Sequence, residues 1–192
     1  GGTNIVCGAV NEAGRLVHKL KQPTEASLGS SAVLNKIAEM ISQITALTAH
    51  IGPVRAATIG CPGIVDPEQG LCIAASNLHW DNVAVGDQLR RLTGIPIYVN
   101  HDVRMYVYGE AIAGAGQGHR SVLGVTIGTG LACALVEDGR IFYGSGYVAG
   151  ELGHLIWPGV HYACNCGNTG CLETALSATG IARQAVEQLT NG

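Results

Sequence analysis

Glu151-Leu152-Gly153-His154 and, shortly after it, Cys164-Asn165-Cys166-Gly167-Asn168-Thr169-Gly170-Cys171-Leu172-Glu173 are the stretch on which the fold turns. Three thiols stand in a glycine-bearing knuckle, with an imidazole upstream. Zinc takes four tetrahedral ligands of thiolate and imidazole type, and glycine permits the tight turns that wrap sulfurs around one ion. His154, Cys164, Cys166 and Cys171 therefore read as a closed, structural zinc set. His161, three residues before Cys164, is a rival fourth ligand, and redox-active or simply buried thiols are the bland alternative. Glu151 and Glu173 flank the set. A metal fixing both local backbones would aim both carboxylates into one pocket; the alternative is surface charge, in a chain where only 13% of residues are charged.

Working outward, an internal repeat appears. Gly2-Thr3, Cys7 and Glu12-Ala13-Gly14-Arg15-Leu16 are echoed by Gly128-Thr129, Cys133 and Glu137-Asp138-Gly139-Arg140-Ile141. In both copies the cysteine falls four residues after the threonine. Each copy reads as a Gly-Thr turn feeding a β-hairpin, and the pair as a duplication that would make a cleft between two lobes. Backbone N–H groups in Gly1-Gly2-Thr3 and Gly128-Thr129-Gly130 form anion nests, and the threonine hydroxyls add donors. Two such turns hold a polyphosphate from both sides; plain tight turns are the alternative. No sequence ends in the Gly-Lys-Ser/Thr of a P-loop, and no strict Gly-x-Gly-x-x-Gly follows a strand.

Periodicity supplies the rest of the α/β frame. Ile5–Val10 and Leu16–Leu20 read as strands around Asn11–Gly14. Val33, Leu34, Ile37, Ile41, Ile44 and Leu47 recur at helical spacing, with Ser30 or Ser31 as cap and Gly52-Pro53 as stop. Val54–Ile59 and Ile95–Val99 read as strands, and Leu89 and Leu92 as a helix ended by Gly94. Val103–Ala113 reads as a packed helix, Gly114–Gly118 as a linker, Val122–Ile127, Leu131–Val136 and Ile141–Tyr143 as strands, and Ile181–Leu189 as a helix. Strands alternating with helices predict a mixed sheet.

Composition narrows the function classes. The chain has 192 residues, 47% hydrophobic, with 28 glycines and a net charge of −3. Disorder is excluded by the apolar content, and collagen by only 6 prolines and no three-residue glycine period. A pI near 6.1 gives no footprint for nucleic acid or an anionic membrane. The uncharged run Ser121–Val136 is broken by glycine and threonine and too polar to span a bilayer. Seven cysteines, an odd number, argue for reduced thiols in a cytoplasmic protein. No signal peptide opens the chain, and its ends read as those of a fragment. Low charge suggests a buried protein interface, hence a homodimer. Asp102, just past Ile95–Val99 and near a helix start, reads either as an N-cap or as a carboxylate that accepts a proton from a bound hydroxyl.

Taken together, these residues resemble the ROK family of repressors and sugar kinases. The Glu151–His154 and Cys164–Glu173 blocks are similar to its zinc-containing signature. Gly1-Gly2-Thr3 and Ile127-Gly128-Thr129-Gly130 resemble its two phosphate loops, Gly60–Asp66 its substrate loop, and Asn77-Leu78-His79-Trp80 a segment of its glucokinase-like members. The resemblance implies a two-lobed actin-like, ribonuclease H-like ATPase fold, truncated here at both ends. Residues 1–117 would be the N-terminal lobe and 118–192 part of the C-terminal lobe. It implies ATP- and Mg²⁺-dependent phosphorylation of a hexose or N-acetylhexosamine, usually at the 6-hydroxyl, with Asp102 as general base. Pro62, Gly63, Ser76, Asn77, His101, Glu151, His154 and Glu173 would contact the sugar; Gly2, Thr3, Gly128, Thr129 and Gly130 would bind the ATP phosphates. The alternative within the family is a sugar-responsive repressor whose DNA-binding domain is not in this chain; retention of Gly1-Gly2-Thr3 favours the kinase. Three departures stand out. The aspartate that normally precedes the first loop is absent, and the family's later adenosine loop would lie beyond Gly192. His101 and Asn100 stand where the family shows Asn and often Glu, and an imidazole differs from an amide in reach and charge.

Overall fold

The structure, a computed structural model, describes residues 3–191. They form two compact units that part between Asp102 and Val103.

The first unit opens with the hairpin β1 (Asn4–Val10) and β2 (Leu16–Pro23). Its turn is held by the Asn11 carboxamide oxygen, which accepts from the N–H groups of Ala13 and Arg15 at 3.1 and 3.0 Å. Helix α1 (Ser30–Thr48) buries Val33, Leu34, Met40, Ile41 and Ile44 along one stripe. Neither Ser30 nor Ser31 caps it. Gly29, at φ 87°, takes the N-cap position, and its carbonyl receives Val33 N–H at 3.2 Å. A backbone reversal at positive φ is open to glycine, and it places both serines inside the first turn. Strand β3 (Ala57–Cys61) begins later than expected. The segment between β3 and the next helix, left unassigned by periodicity, is an antiparallel sheet of β4 (Ile64–Asp66), β5 (Leu71–Ala75) and β6 (Trp80–Val83). Helix α2 (Val85–Thr93) ends at Gly94, φ 72°, whose N–H returns to the Arg90 carbonyl, the left-handed cap that glycine favours. Strand β7 (Ile97–His101) then runs parallel to β3, from Ala57 opposite Ile97 to Cys61 opposite His101. The core gathers Leu34, Ile41, Val65, Trp80, Leu89 and Val99.

The second unit is built on helix α3 (Asp102–Ala113) and the antiparallel sheet β8 (Ser121–Ile127), β9 (Leu131–Glu137) and β10 (Arg140–Ile141). Val107 and Ala111 of α3 pack with Ala134 and Val136 of β9. Gly124 admits the helix, since a Cβ there would collide with the Val107 methyls. The compact units therefore divide before α3 rather than at Gly114–Gly118. That glycine stretch is the tied-down end of the helix: the Glu110 carbonyl accepts from Gly114 and Gly116, and the Glu110 carboxylate from Ala115. Helices α4 (Glu173–Leu176) and α5 (Ala178–Asn191) follow, α5 enclosing the expected Ile181–Leu189 helix. Both halves of the sequence repeat are hairpins, β1–β2 and β9–β10. Among the described residues the strands form four small sheets, of which β3–β7 alone is parallel, rather than one mixed sheet. The hydrophobic periods gave strand positions, but which edges pair depends on contacts distant in sequence.

Candidate functional site

In the first unit the site grows from the shared end of β3 and β7. Because Cys61 lies opposite His101, the two parallel strands release Pro62-Gly63 and Asp102 side by side at their carboxyl ends, where loops of parallel sheets carry ligands. Gly63 sits at φ 84°, and a Cβ there would land on the Ala74 carbonyl oxygen and 2.8 Å from Ala75 Cα. This close approach brings the substrate-loop candidates Pro62 and Gly63 next to the turn that carries Ser76 and Asn77, both exposed. Asp66 fastens the other end of β4. Its carboxylate accepts from the backbone of Glu68 and Gln69 at 2.9 and 3.1 Å and from the Gln69 carboxamide at 2.8 Å.

Asp102 opens α3, with its side chain 38% accessible. The buried His101 ring places Nδ1 3.6 Å from an Asp102 carboxylate oxygen. Asp102 thus lies inside the first turn of α3, one residue past the cap position, and remains open to a ligand, as a base must. Cys61 lies beneath: burial, reinforced by Cys72, pushes its thiol up to about 12. Burial also lifts Cys72 to about 11. Both are inert packing thiols, since the thiolate is the reactive form. An apolar cavity of about 1020 Å³ between β1, α1 and β3 includes only Pro62 of the predicted site residues.

In the second unit the turn Gly128-Thr129-Gly130 joins β8 to β9 and is exposed. Its carbonyls are held from behind: Gly128 accepts Ala178 N–H at 2.9 Å, and Thr129 accepts the Thr179 hydroxyl at 3.2 Å. Glu173 lies against this turn, because a Cβ on Gly130 would meet its carboxylate oxygen at 2.9 Å. Gly153 presses on the start of β9, where a side chain would collide with the Leu131 carbonyl. The Glu151–His154 turn and Glu173 therefore meet at the root of the predicted phosphate loop. His154 faces both acids, Nε2 at 3.9 Å from Glu151 and Nδ1 at 3.9 Å from Glu173.

His154, Cys164, Cys166 and Cys171 come together with their ligand atoms all within 4.8 Å of one another. His154 Nδ1 lies 3.8 Å from Cys164 Sγ, and Cys166 Sγ lies 3.6 Å from Cys171 Sγ. Tetrahedral ligands around zinc sit roughly 3.7 Å apart, so the donor set fits that ion in chemistry and spacing. The Glu151 carboxylate, 3.9 Å from Nε2, stands on the side where an outer partner of a metal-bound imidazole would lie. His161 is exposed and outside the cluster. All seven cysteines are free thiols.

Gly2 lies outside the described residues. Thr3 is exposed, and its carbonyl accepts Thr24 N–H at 3.0 Å. Sequence reasoning passed over Arg104, which is 1% exposed. Its only signal was a charge in a helix that also carries Asp102 and Glu110.

An α/β protein with an exposed glycine turn beside a Cys₃His cluster, and a carboxylate at a parallel strand end, is what this geometry defines. Its fold is the actin-like ATPase fold of the sugar kinase structures it matches. The chain matches the ROK family over residues 1–191, and it belongs to that family. It is 36% identical over 194 residues to the glucokinase of Halalkalibacterium halodurans, a match covering 99% of this chain and 58% of that protein. The crystal structure of a ROK family glucokinase from Streptomyces griseus in complex with glucose and AMPPNP superimposes with a TM-score of 0.86. That match has 30% identity and covers 100% of this chain and 59% of that one. A ROK family transcriptional regulator, a homologue of the Escherichia coli MLC protein, matches with a TM-score of 0.85 and 27% identity, over 99% of this chain and 48% of that one. The chain thus spans about half to three fifths of the length of these relatives. No helix among the described residues is long and apolar enough to cross a membrane.

Proposed function

We propose that the protein is an ATP-dependent sugar kinase that phosphorylates a hexose or N-acetylhexosamine, at the 6-hydroxyl, with Asp102 as general base. The observation that carries this reading is the β3–β7 register, which delivers Asp102 and Pro62-Gly63 from adjacent strand ends. Similarity to two glucokinases supports it.

Phosphoryl transfer asks a protein for alignment and charge stabilisation rather than covalent chemistry. In this reading the sugar hydroxyl donates to the Asp102 carboxylate, which takes its proton as the oxygen attacks the terminal phosphorus of ATP. His101 holds that carboxylate from the side. Pro62, Gly63, Ser76, Asn77, Glu151, His154 and Glu173 bind and orient the sugar. The turns at Gly2-Thr3 and Gly128-Thr129-Gly130 offer N–H donors to the phosphates, and Mg²⁺ carried with ATP supplies charge neutralisation. His154, Cys164, Cys166 and Cys171 would hold zinc, whose role is structural: it cross-links the knuckle to the turn bearing Glu151. A cytoplasmic location and a homodimer complete the reading. Low charge density supports the homodimer, and a monomer in light scattering of the full-length protein would reject it.

ADP release by the full-length protein over glucose, mannose, fructose, N-acetylglucosamine and N-acetylmannosamine is the test, with sugar affinity measured in parallel by calorimetry. Turnover on at least one of them is expected. The similarity to a transcriptional regulator favours a second reading, a sugar-responsive repressor; sugar binding without ADP formation would select it and sink the kinase.

A further inference from the structure

Arg104 is the largest fully buried side chain of the described residues. A buried charge is costly unless paired, and a well-packed apolar residue of similar size usually serves stability as well or better. Its hydrogen bonds among the described residues go to the segment that leads into Glu151. One guanidinium nitrogen, Nη2, donates to the Tyr147 carbonyl at 2.6 Å and the Ala149 carbonyl at 3.1 Å. The guanidinium carbon stands 5.3 Å from the centre of the Tyr143 ring, which meets the Tyr147 ring edge to face at 6.0 Å. Nε and Nη1 have no hydrogen-bond partner among the described residues. Burial lowers the Arg104 pKa, and the negative charge of Glu151 opposes that shift, so the two groups sense each other electrostatically.

The segment held in this way needs holding. Gly144, Gly146, Tyr147 and Gly150 all have positive φ, and a run so rich in left-handed residues has many competing conformations. One guanidinium nitrogen that donates to two carbonyls at once, from a group standing over the Tyr143 ring, selects one of them. We propose that Arg104 is a positioning residue for the sugar site: its grip on the carbonyls of Tyr147 and Ala149 fixes the direction in which Glu151 is presented. This rests on the sugar-kinase reading, in which Glu151 contacts the sugar.

The test uses the full-length protein and the variants R104M, R104K, E151Q and R104M/E151Q. Arg104→Met should raise the KM for the preferred sugar about tenfold, the scale of losing a charged hydrogen bond. The KM for ATP and kcat should stay within about twofold, the pattern of lost uniform binding. Arg104→Lys should restore part of the loss. In the E151Q background the same change should add little, because the two residues act as one unit. Amide exchange should accelerate at 147–151 and not in β9. A sugar KM unchanged in R104M, additive losses in the double variant, or faster exchange throughout β9 would each overturn the proposal and leave Arg104 a structural residue. If the wild-type protein phosphorylated no sugar, the kinase reading would fall by itself. The exchange pattern, and calorimetric affinity for glucose or N-acetylglucosamine, would still decide the role of Arg104.

Discussion

Gly63→Ala tests the placement of the substrate loop directly, because the cost can be worked from the structure. Two terms contribute. The backbone at φ 84° is one that an L side chain pays about 1–2 kcal/mol to adopt. The new methyl would overlap the Ala74 carbonyl and lie 2.8 Å from Ala75 Cα, so β5 must retreat from β4 by about 1 Å, an overpacking cost of about 1–3 kcal/mol. The sum is about 2–5 kcal/mol, a large share of the ~5–15 kcal/mol that holds a typical domain together. Gly14→Ala is the internal control in the same unit: φ is 74°, yet nothing lies within 4 Å of the added Cβ, so only the first term of about 1–2 kcal/mol applies. Urea unfolding followed by tryptophan fluorescence, Trp80 being buried in the same core, measures both. With a slope of about 1–3 kcal/mol/M, G63A should lower the midpoint by about 1 M or more and G14A by clearly less. G63A should also weaken sugar binding, since Ile64 pairs with Ala74 immediately beside the loop. If the two variants unfolded at the same midpoint, the close approach of Gly63 to Ala74 would be wrong, and with it the meeting of Pro62-Gly63 with Ser76-Asn77.

Other expectations follow from the same geometry. Asp102→Asn should cut kcat by about 10²–10⁴, the usual worth of a positioned base, with calorimetric sugar affinity nearly unchanged; surviving turnover would refute the base assignment. Metal analysis of natively purified protein should find about one zinc per chain, and C164S or C171S should lower both zinc content and thermal stability; a metal-free native preparation would count against the site. The buried thiols Cys61 and Cys72, pushed up to about 12 and about 11, hold their protons more tightly folded than unfolded. Their stabilising contribution is complete below pH ~8.5, the unfolded thiol value, and is lost as pH climbs through the folded values. Unfolding midpoints should therefore fall from pH 8 to pH 10, and C61A/C72A should flatten that fall; an equal slope in wild type and variant would show that these thiols are not its source.

What could be read from the sequence, and what could not, divides along the range of the interactions involved. The Cys₃His cluster was legible because three of its four members lie within Cys164–Cys171, where chemistry and spacing are both local. The glycine turns were legible for the same reason. The β4–β5–β6 sheet was not: its strands are short and their burial patterns irregular, so no alternation marks them, and what joins them is pairing such as Ile64 with Ala74 across a turn tied by Asp66. The capping of α1 was misassigned because Ser30 and Ser31 have the right chemistry, while the backbone at Gly29 decides the boundary. Arg104 shows the limit most clearly. In the sequence it is one of three charges in α3, with Asp102 and Glu110, and charge in a helix ordinarily marks a solvent-facing position. Its partners, the carbonyls of Tyr147 and Ala149, carry no side-chain signature and lie more than forty residues away. A side chain that acts on backbone carbonyls leaves no complementary residue type for a reader of the sequence to find. That asymmetry explains why the metal donors and glycine turns of this chain could be named from its letters, whereas the residue that aims Glu151 emerged only from the fold.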